Sequence, residues 1–206
     1  FSLGHLVGLG GQIMDDDGYP AFNTDYGREW LRMLKDFNEI AYLPFYSEND
    51  TDAFLSGDAG YIVDGTWNLD RYAEQIPDYV IDPWPEGMGG FVTADCLFFN
   101  PHNSAPASTA VSQIAAFIYS DNGQEFLQDN HPLYISPLED VEFFSAYIAM
   151  ARDALVTGVP FPVNPAMVHY WGPLSTAIEE TLAGGDLDAI LEDAYWGIHD
   201  MVENQQ

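Results

Sequence analysis

The sequence predicts an α/β fold with a helix-rich carboxy-terminal half. Two patterns support this prediction: short apolar runs bounded by glycine and proline alternate with amphipathic helices as far as Asn100, and helices dominate after it. Hydrophobic residues make up 47% of the 206-residue chain, which is enough for a packed core. We therefore expect a folded protein whose strands lie mainly in its first half.

Local patterns predict each element of the first half. Residues 1–9 are apolar and indicate the end of a buried helix, and "DDDG" at 15–18 indicates a tight turn. This acidic turn lacks the alternating ligands and the closing Glu of a calcium-binding EF-hand loop. Thr24 is expected to cap a helix whose apolar residues recur at helical spacing as far as Ile40. The other expected elements are helices at 51–55 and 68–76 and strands at 59–65, 79–85 and 91–100.

The second half is predicted to form a series of helices separated by short connections. Asp121 and Gln124 have the spacing of a capping box, and Asp186 follows two glycines at a position suited to capping the last helix. The predicted helical ranges are 108–119, 121–128, 138–155, 165–182 and 187–203.

Some large or reactive side chains are expected in the core. Trp30 and Trp196 lie on apolar helical stripes, and Trp84 lies between two prolines. Cys96 is the single cysteine, which excludes an internal disulfide and a multi-cysteine metal cluster. Because Cys96 lies in the apolar run "FVTADCLFF", we expect a buried, inert thiol. No motif indicates a metal ion or another cofactor.

The charge of the chain is almost entirely of one sign. Asp and Glu number 33 against 5 Lys and Arg, which gives a formal net charge of -28, and the acids are spread along the whole sequence. Such a field repels nucleic acid and anionic membrane surfaces, and five scattered cations cannot form a basic binding surface. DNA-binding and RNA-binding functions are therefore excluded, and an acidic, solvated surface is expected.

Trp67 is the residue that most suggests ligand binding. It lies in "FLSGDAGYIVDGTWNLDRY", directly after a predicted buried strand, where Gly65 allows a sharp turn. Its neighbours Asp64 and Asn68 are polar, so a large aromatic side chain has little apolar cover at this position. Because strand ends display binding side chains, we expect Trp67 to face a ligand.

Segments at 10–37, 54–69, 109–130 and 165–202 together resemble the extracellular solute-binding proteins of ABC importers, the family that includes maltose-binding protein. The resemblance is to the carboxy-terminal portion of that family. It implies a periplasmic-binding-protein-like two-lobe fold without its amino-terminal portion, so the chain is a fragment, half of a split protein or an incompletely recorded sequence. It also implies three parts: 1–92 in a first lobe, 97–137 in a second lobe, and 138–206 as a helical return to the first.

The resemblance implies capture of a small solute, foremost a mono- or oligosaccharide, outside the cell membrane. The protein would deliver the solute to an ABC permease after hinge closure, without chemistry. It is expected to be monomeric when complete and to be held at the membrane by an amino-terminal anchor that is absent from this chain. One alternative is a cationic solute such as a polyamine, held by aromatic rings and carboxylates. A secreted glycoside hydrolase with paired carboxylates is another, although the sequence has no recognisable catalytic motif. We therefore expect a binding protein that is not an enzyme.

The family's "DG-x-W" element places Trp67 in the ligand cleft, and the resemblance places a second stacking aromatic at Trp171. An indole plane suits the C–H face of a sugar ring, with polar groups at its edge. The expected edge residues are Asp64, Asn68 and Tyr170. Further contacts are expected from Gly89 and Gly90, where a ligand can approach the backbone closely, and from Tyr134 in a loop.

Overall fold

The computed structural model describes residues 2–41, 49–76, 78–85, 89–93, 96–131, 134–138 and 146–204. The chain forms two compact units. Unit 1 comprises Phe1–Val63, Pro83–Val92 and Thr157–Gln206, and unit 2 comprises Asp64–Asp82 and Thr93–Val156. Residues 64–82 and 138–156 thus group with unit 2, whereas the family resemblance implies that they belong to the first lobe. The assignment of these units to the two lobes stays a prediction.

Helices form most of the regular structure. Apart from a few residues at their ends and a 3₁₀ turn at Pro165–His169, they match the predicted ranges wherever those ranges are described. Apolar residues at intervals of three and four give most of them a face to bury, whereas the helix Ala105–Ile118 has no buried residue. In chain order they are α1 (Leu3–Gly8), α2 (Asp25–Ile40), α3 (Asp50–Ser56), α4 (Leu69–Gln75), α5 (Ala105–Ile118), α6 (Asp121–Asn130), α7 (Ala146–Leu155), α8 (Trp171–Leu182) and α9 (Leu187–Glu203), with 3₁₀ turns at Thr66–Asn68 and Pro165–His169.

The core of unit 1 is formed where α2, α8 and α9 pack against one another. Trp30 of α2 is fully buried there, as predicted, and its indole Nε1 donates a hydrogen bond to the carbonyl of Ser2 at 2.9 Å. The prediction that Trp196 is a core residue is wrong, because its side chain is 51% exposed. Trp196 lies two residues from buried Ile198, which is about 200° around the helix, so it faces away from the buried stripe of α9.

The sheet is much smaller than the sequence predicts. β1 (Phe91–Val92) pairs in parallel with β2 (Val159–Pro160), and no other strand pairing of this kind is present in the described residues. The predicted strands at 59–65 and 79–85 are irregular, and Tyr61 in the first is 92% exposed. A strand needs a neighbour to accept and donate its backbone hydrogen bonds, and neither segment has one within the described chain.

Cys96 is exposed, so the expectation of a buried thiol is wrong. The apolar run that contains it leaves the sheet after Val92, and its aromatic residues Phe98 and Phe99 are exposed as well. The residue pattern indicates correctly that this segment is apolar, but it does not indicate whether the segment is buried. Burial depends on the elements that pack against the segment.

The predicted N-terminal cap is confirmed for α9 but not for α6. Asp186 caps α9, since its carboxylate accepts a hydrogen bond from the backbone N–H of Ala189 at 3.0 Å. The capping-box prediction for α6 is wrong. Ser120 is the capping residue there, and the side chain of Gln124 binds the carbonyl of Ile118 and the hydroxyl of Ser136 instead.

Unit 2 contains a small core around Leu69, Ile148 and Ala151. Tyr79 packs against it and stacks on Tyr147 with 4.5 Å between ring centroids. Burial raises the pKa of Tyr79 to about 12. Leu69 is the first residue of α4, so this core holds the start of the helix that begins two residues after Trp67.

Helix α1 approaches the backbone of residues 89 and 90 very closely. A Cβ added to Gly4 would lie 2.6 Å from the carbonyl oxygen of Gly89. His5 Nδ1 accepts a hydrogen bond from the N–H of Gly89 at 3.4 Å, and Trp84 packs edge-on against the imidazole. Burial lowers the pKa of His5, so the ring is neutral at pH 7.

Acidification from pH 7.5 to 5.5 is expected to remove stability that neutral His5 provides. The pKa of His5 is lower in the folded protein than the 6.5 of an unfolded chain. Between the two values the unfolded state binds more protons, so stability is present above pH 6.5 and is lost as pH falls toward the folded pKa. Melting temperatures of the wild type and His5→Gln at both pH values measure this contribution, because glutamine still accepts a hydrogen bond but does not titrate. Equal pH dependence in the two proteins would contradict the assignment.

Candidate functional site

Trp67 lies on the short 3₁₀ turn that leads into α4, and its side chain is 70% exposed. The turn belongs to unit 2 and is followed directly by Leu69, whose side chain is buried in the small core of that unit. A large aromatic side chain is thus presented to solvent from a segment that is anchored on its carboxy-terminal side. This arrangement is suited to stacking against a flat, partly apolar ligand.

Asp64 organises the polar groups around Trp67. One carboxylate oxygen accepts a hydrogen bond from the backbone N–H of Gly65 at 2.7 Å, and the other accepts from Asn68 Nδ2 at 2.7 Å and from the Tyr72 hydroxyl. We call these four residues the Asp64 cluster: Asp64, Gly65, Asn68 and Tyr72. Three donors thus occupy most of the acceptor capacity of the carboxylate.

Gly65 is needed for a different reason from the one the sequence suggested. Its backbone has φ −91° and ψ 160°, an extended conformation that any residue adopts. The constraint comes from Trp67, because a Cβ added to Gly65 would lie 2.2 to 2.4 Å from three atoms of the indole ring. The ring therefore rests directly on the α-carbon of Gly65.

Trp171 is the first residue of α8 in unit 1, and 52% of its surface is exposed. Its ring stacks on Phe161 with 5.9 Å between centroids and an interplanar angle of 15°. The preceding 3₁₀ turn is capped by Asn164, whose side chain accepts a hydrogen bond from the N–H of Ala166. Trp171 therefore packs against Phe161 while about half of its surface stays exposed.

Tyr170 is fully buried. Its hydroxyl donates a hydrogen bond to the carbonyl of Gly18 at 2.9 Å, and its ring lies edge-on to Phe22. Burial raises the pKa of Tyr170 well above the ordinary value for tyrosine. In this structure the side chain fixes the start of α8 and so supports Trp171 rather than presenting a polar group to solvent.

Gly89 and Gly90 lie in unit 1, where their lack of side chains serves internal packing. The N–H of Gly89 is bound to His5, and a Cβ on Gly90 would lie 2.6 Å from the indole nitrogen of Trp84. Tyr134 lies in unit 2 and is half-buried, with its backbone N–H bound to the carbonyl of His131.

The structure brings Trp67 together with Asp64 and Asn68 in unit 2, and Trp171 together with Tyr170 in unit 1. Sequence reasoning missed Tyr72 and Phe161, which hold these two groups in place. Tyr72 follows Asn68 by four residues, so helical spacing could have placed both on one face. Phe161 gave no comparable signal, because its contact with Trp171 depends on tertiary packing.

One group of side chains has the composition of a metal site. His199, Asp200 and Glu203 place potential ligand atoms within 4.8 Å of one another at the end of α9. His199 Nδ1 lies 3.9 Å from the Asp200 carboxylate and 4.0 Å from that of Glu203. Both carboxylates are exposed and both separations are longer than hydrogen bonds, so these are possible ligands and not a formed site.

Comparison with known proteins gives one family match and many similar folds. The sequence model of the bacterial extracellular solute-binding proteins matches residues 2–142. Among solved structures, the maltose/maltodextrin-binding domain MalE from Bdellovibrio bacteriovorus, bound to maltotriose, has a TM-score of 0.79 and 18% identity over 98% of this chain and 57% of that one. The extracellular solute-binding protein from Staphylococcus aureus in complex with maltose has a TM-score of 0.79 and 18% identity over 100% of this chain and 57% of the other. The Thermus thermophilus maltotriose binding protein has a TM-score of 0.70 and 21% identity over 98% and 58%.

No curated protein sequence matches the chain significantly. The chain spans less than two thirds of the solved proteins that it resembles. Those proteins have the periplasmic-binding-protein-like two-lobe fold, which confirms the predicted fold class. None of the described helices is long and apolar enough to cross a membrane. The match over residues 2–142 shows that the chain belongs to the bacterial extracellular solute-binding proteins.

Proposed function

We propose that the protein captures an oligosaccharide outside the cytoplasmic membrane and delivers it unchanged to an ABC importer. The observation that carries this proposal is Trp67, an exposed indole that rests on Gly65 beside a fixed group of polar side chains. The indole offers a flat apolar surface to a ligand, and the polar side chains lie beside it where the edge of a sugar would need them.

A sugar fits this surface better than an acid or a nucleotide. The C–H face of a pyranose ring buries well against an indole plane, and the acidic character of the chain disfavours anionic ligands. The three solved proteins compared above are described as bound to maltose or maltotriose, which supports a short glucose oligosaccharide as the first candidate.

Trp171 is proposed as the second stacking surface. Its exposed ring and its support by Phe161 resemble the arrangement at Trp67, although its supporting residue is aromatic and not glycine. The proposed binding motion is the hinge closure of a two-lobe fold around its ligand, without covalent chemistry. Direct contacts from Asn68, Gly89, Gly90 and Tyr134 stay predictions.

A thermal-shift series on the full-length protein tests the proposal. Maltotriose at about 100 times its dissociation constant is expected to stabilise the native state by about 2.7 kcal/mol, and spermidine is expected to give no such shift. Chromatography of the incubated sugar should return maltotriose only. A shift with spermidine alone would favour a cationic solute, and steady release of glucose or maltose would identify a hydrolase, so either result contradicts the proposal.

A further inference from the structure

We infer that Gly65 and the hydrogen bonds of the Asp64 cluster position Trp67, so that the indole is held in its ligand-stacking orientation before ligand arrives. This inference rests on the proposed function and assigns the cluster a role within it. Asp64 and Tyr72 act through Trp67 and are positioning residues. Gly65 acts in the same way by leaving space for the ring.

The first argument comes from Gly65. Its extended backbone would accept alanine without strain, so conformation alone does not require glycine. The indole of Trp67 occupies the space that a Cβ would fill, at separations as short as 2.2 Å. Carbon atoms in contact lie about 3.5 to 4.0 Å apart, so a methyl group here would displace the ring by more than about 1 Å. One face of the ring is thus held against the backbone while most of the side chain stays exposed.

The second argument comes from the hydrogen bonds on either side of Trp67. The Asp64 carboxylate joins the backbone N–H of Gly65, before the tryptophan, to the side chain of Asn68, after it. The Tyr72 hydroxyl ties the same carboxylate to α4, where the Tyr72 side chain is 4% exposed. Hydrogen bonds therefore hold the turn that carries Trp67 on both sides of the tryptophan, and one of them links it to the buried side chain of Tyr72.

Holding the Trp67 side chain in place before binding increases affinity, because less conformational entropy is lost when the ligand binds. A side chain that is already held in the bound rotamer loses less conformational entropy when ligand stacks on it. The position of the ring decides whether the C–H face of a sugar meets the indole plane, since aromatic contacts depend on orientation. Gly65 and these hydrogen bonds therefore contribute to affinity through the position of the ring.

A double-mutant cycle on the full-length protein tests the inference, with maltotriose as the probe and calorimetry as the measurement. Gly65→Ala is expected to weaken binding about tenfold, whereas Gly65→Ala in a Trp67→Ala background should change the affinity by less than about twofold. Gly60→Ala is the matched control, because a Cβ added to Gly60 has no described atom within 4 Å. Tyr72→Phe is expected to weaken binding about threefold, and Tyr119→Phe, at the half-exposed tyrosine that follows α5, should leave it unchanged.

A ligand-free measurement separates this inference from the proposed function. Protein labelled with 5-fluorotryptophan gives a fluorine resonance for Trp67, which is assigned by its loss in Trp67→Phe. Gly65→Ala and Tyr72→Phe should shift or broaden that resonance, and Gly60→Ala and Tyr119→Phe should not. An unchanged resonance and affinity in Gly65→Ala would overturn the positioning role. If the resonance moves but Trp67→Ala binds maltotriose as tightly as wild type, the ring is positioned but the proposed binding role of Trp67 fails.

Discussion

Replacing Trp67 with alanine is expected to weaken maltotriose binding at least about tenfold and to leave the melting temperature nearly unchanged. The side chain is 70% exposed, so its removal takes little buried surface from the native state. Stacking contributes roughly 0.5 to 1.5 kcal/mol beyond the burial of area, and the lost area adds to this. A tenfold change in affinity corresponds to about 1.4 kcal/mol, which lies within the sum of the two effects. Calorimetric titration and thermal melting of the same preparation measure both quantities.

Trp196→Ala is the control for this experiment. It also removes an exposed tryptophan side chain, and that side chain lies on α9 in unit 1, outside the Trp67 turn. We expect it to bind maltotriose with wild-type affinity. A Trp67→Ala protein that melts several degrees lower and keeps its affinity would identify Trp67 as a structural residue. That result would remove the main support for the proposed function.

Replacing Trp30 with alanine is expected to lower the free energy of unfolding by about 3 to 5 kcal/mol, the largest stability effect that we predict for a single substitution. Trp30 is fully buried between helices of the unit 1 core, and alanine would leave a cavity there. The change also removes one of the two hydrogen bonds that the carbonyl of Ser2 accepts, the other being donated by the backbone N–H of His5. Urea denaturation monitored by circular dichroism measures the loss.

Trp30→Phe keeps part of the ring volume and should show a smaller loss, so it provides a folded variant if alanine abolishes folding. Trp196→Ala should cost less than about 1 kcal/mol, since its side chain projects away from the core. The sequence predicted the same buried position for both tryptophans. Equal losses at the two positions would therefore support the sequence prediction against the structure.

The helices were predictable because their apolar residues recur within the segment itself. In α2 the spacing of Trp30 and Leu34 defines the buried face without reference to any other element. Strands differ in this respect, because their hydrogen bonds are made with other segments. The run at 59–65 has strand composition but no described neighbour, and Tyr61 is exposed as a result.

The site was predictable in part for the same reason. Polar neighbours indicated correctly that Trp67 would be exposed, since they leave it no local apolar cover. The sequence did not reveal that Asp64 is occupied by hydrogen bonds from Asn68 and Tyr72. It also gave the wrong reason for Gly65, because the contact with the indole is a matter of side-chain rotamer and not of backbone conformation.

The packing of α2 against α8 and α9 has a consequence for the order in which the protein folds. About 130 residues separate the end of α2 from the start of α8, which is the first of the two later helices that pack against α2. At roughly 5 to 20 residues per second, the ribosome needs roughly 6 to 26 s to synthesise these residues. An isolated helix of this length is marginal in water, so α2 has no stable fold during that interval. The contacts that bury α2 in unit 1 therefore form only after the whole of the intervening sequence has been synthesised.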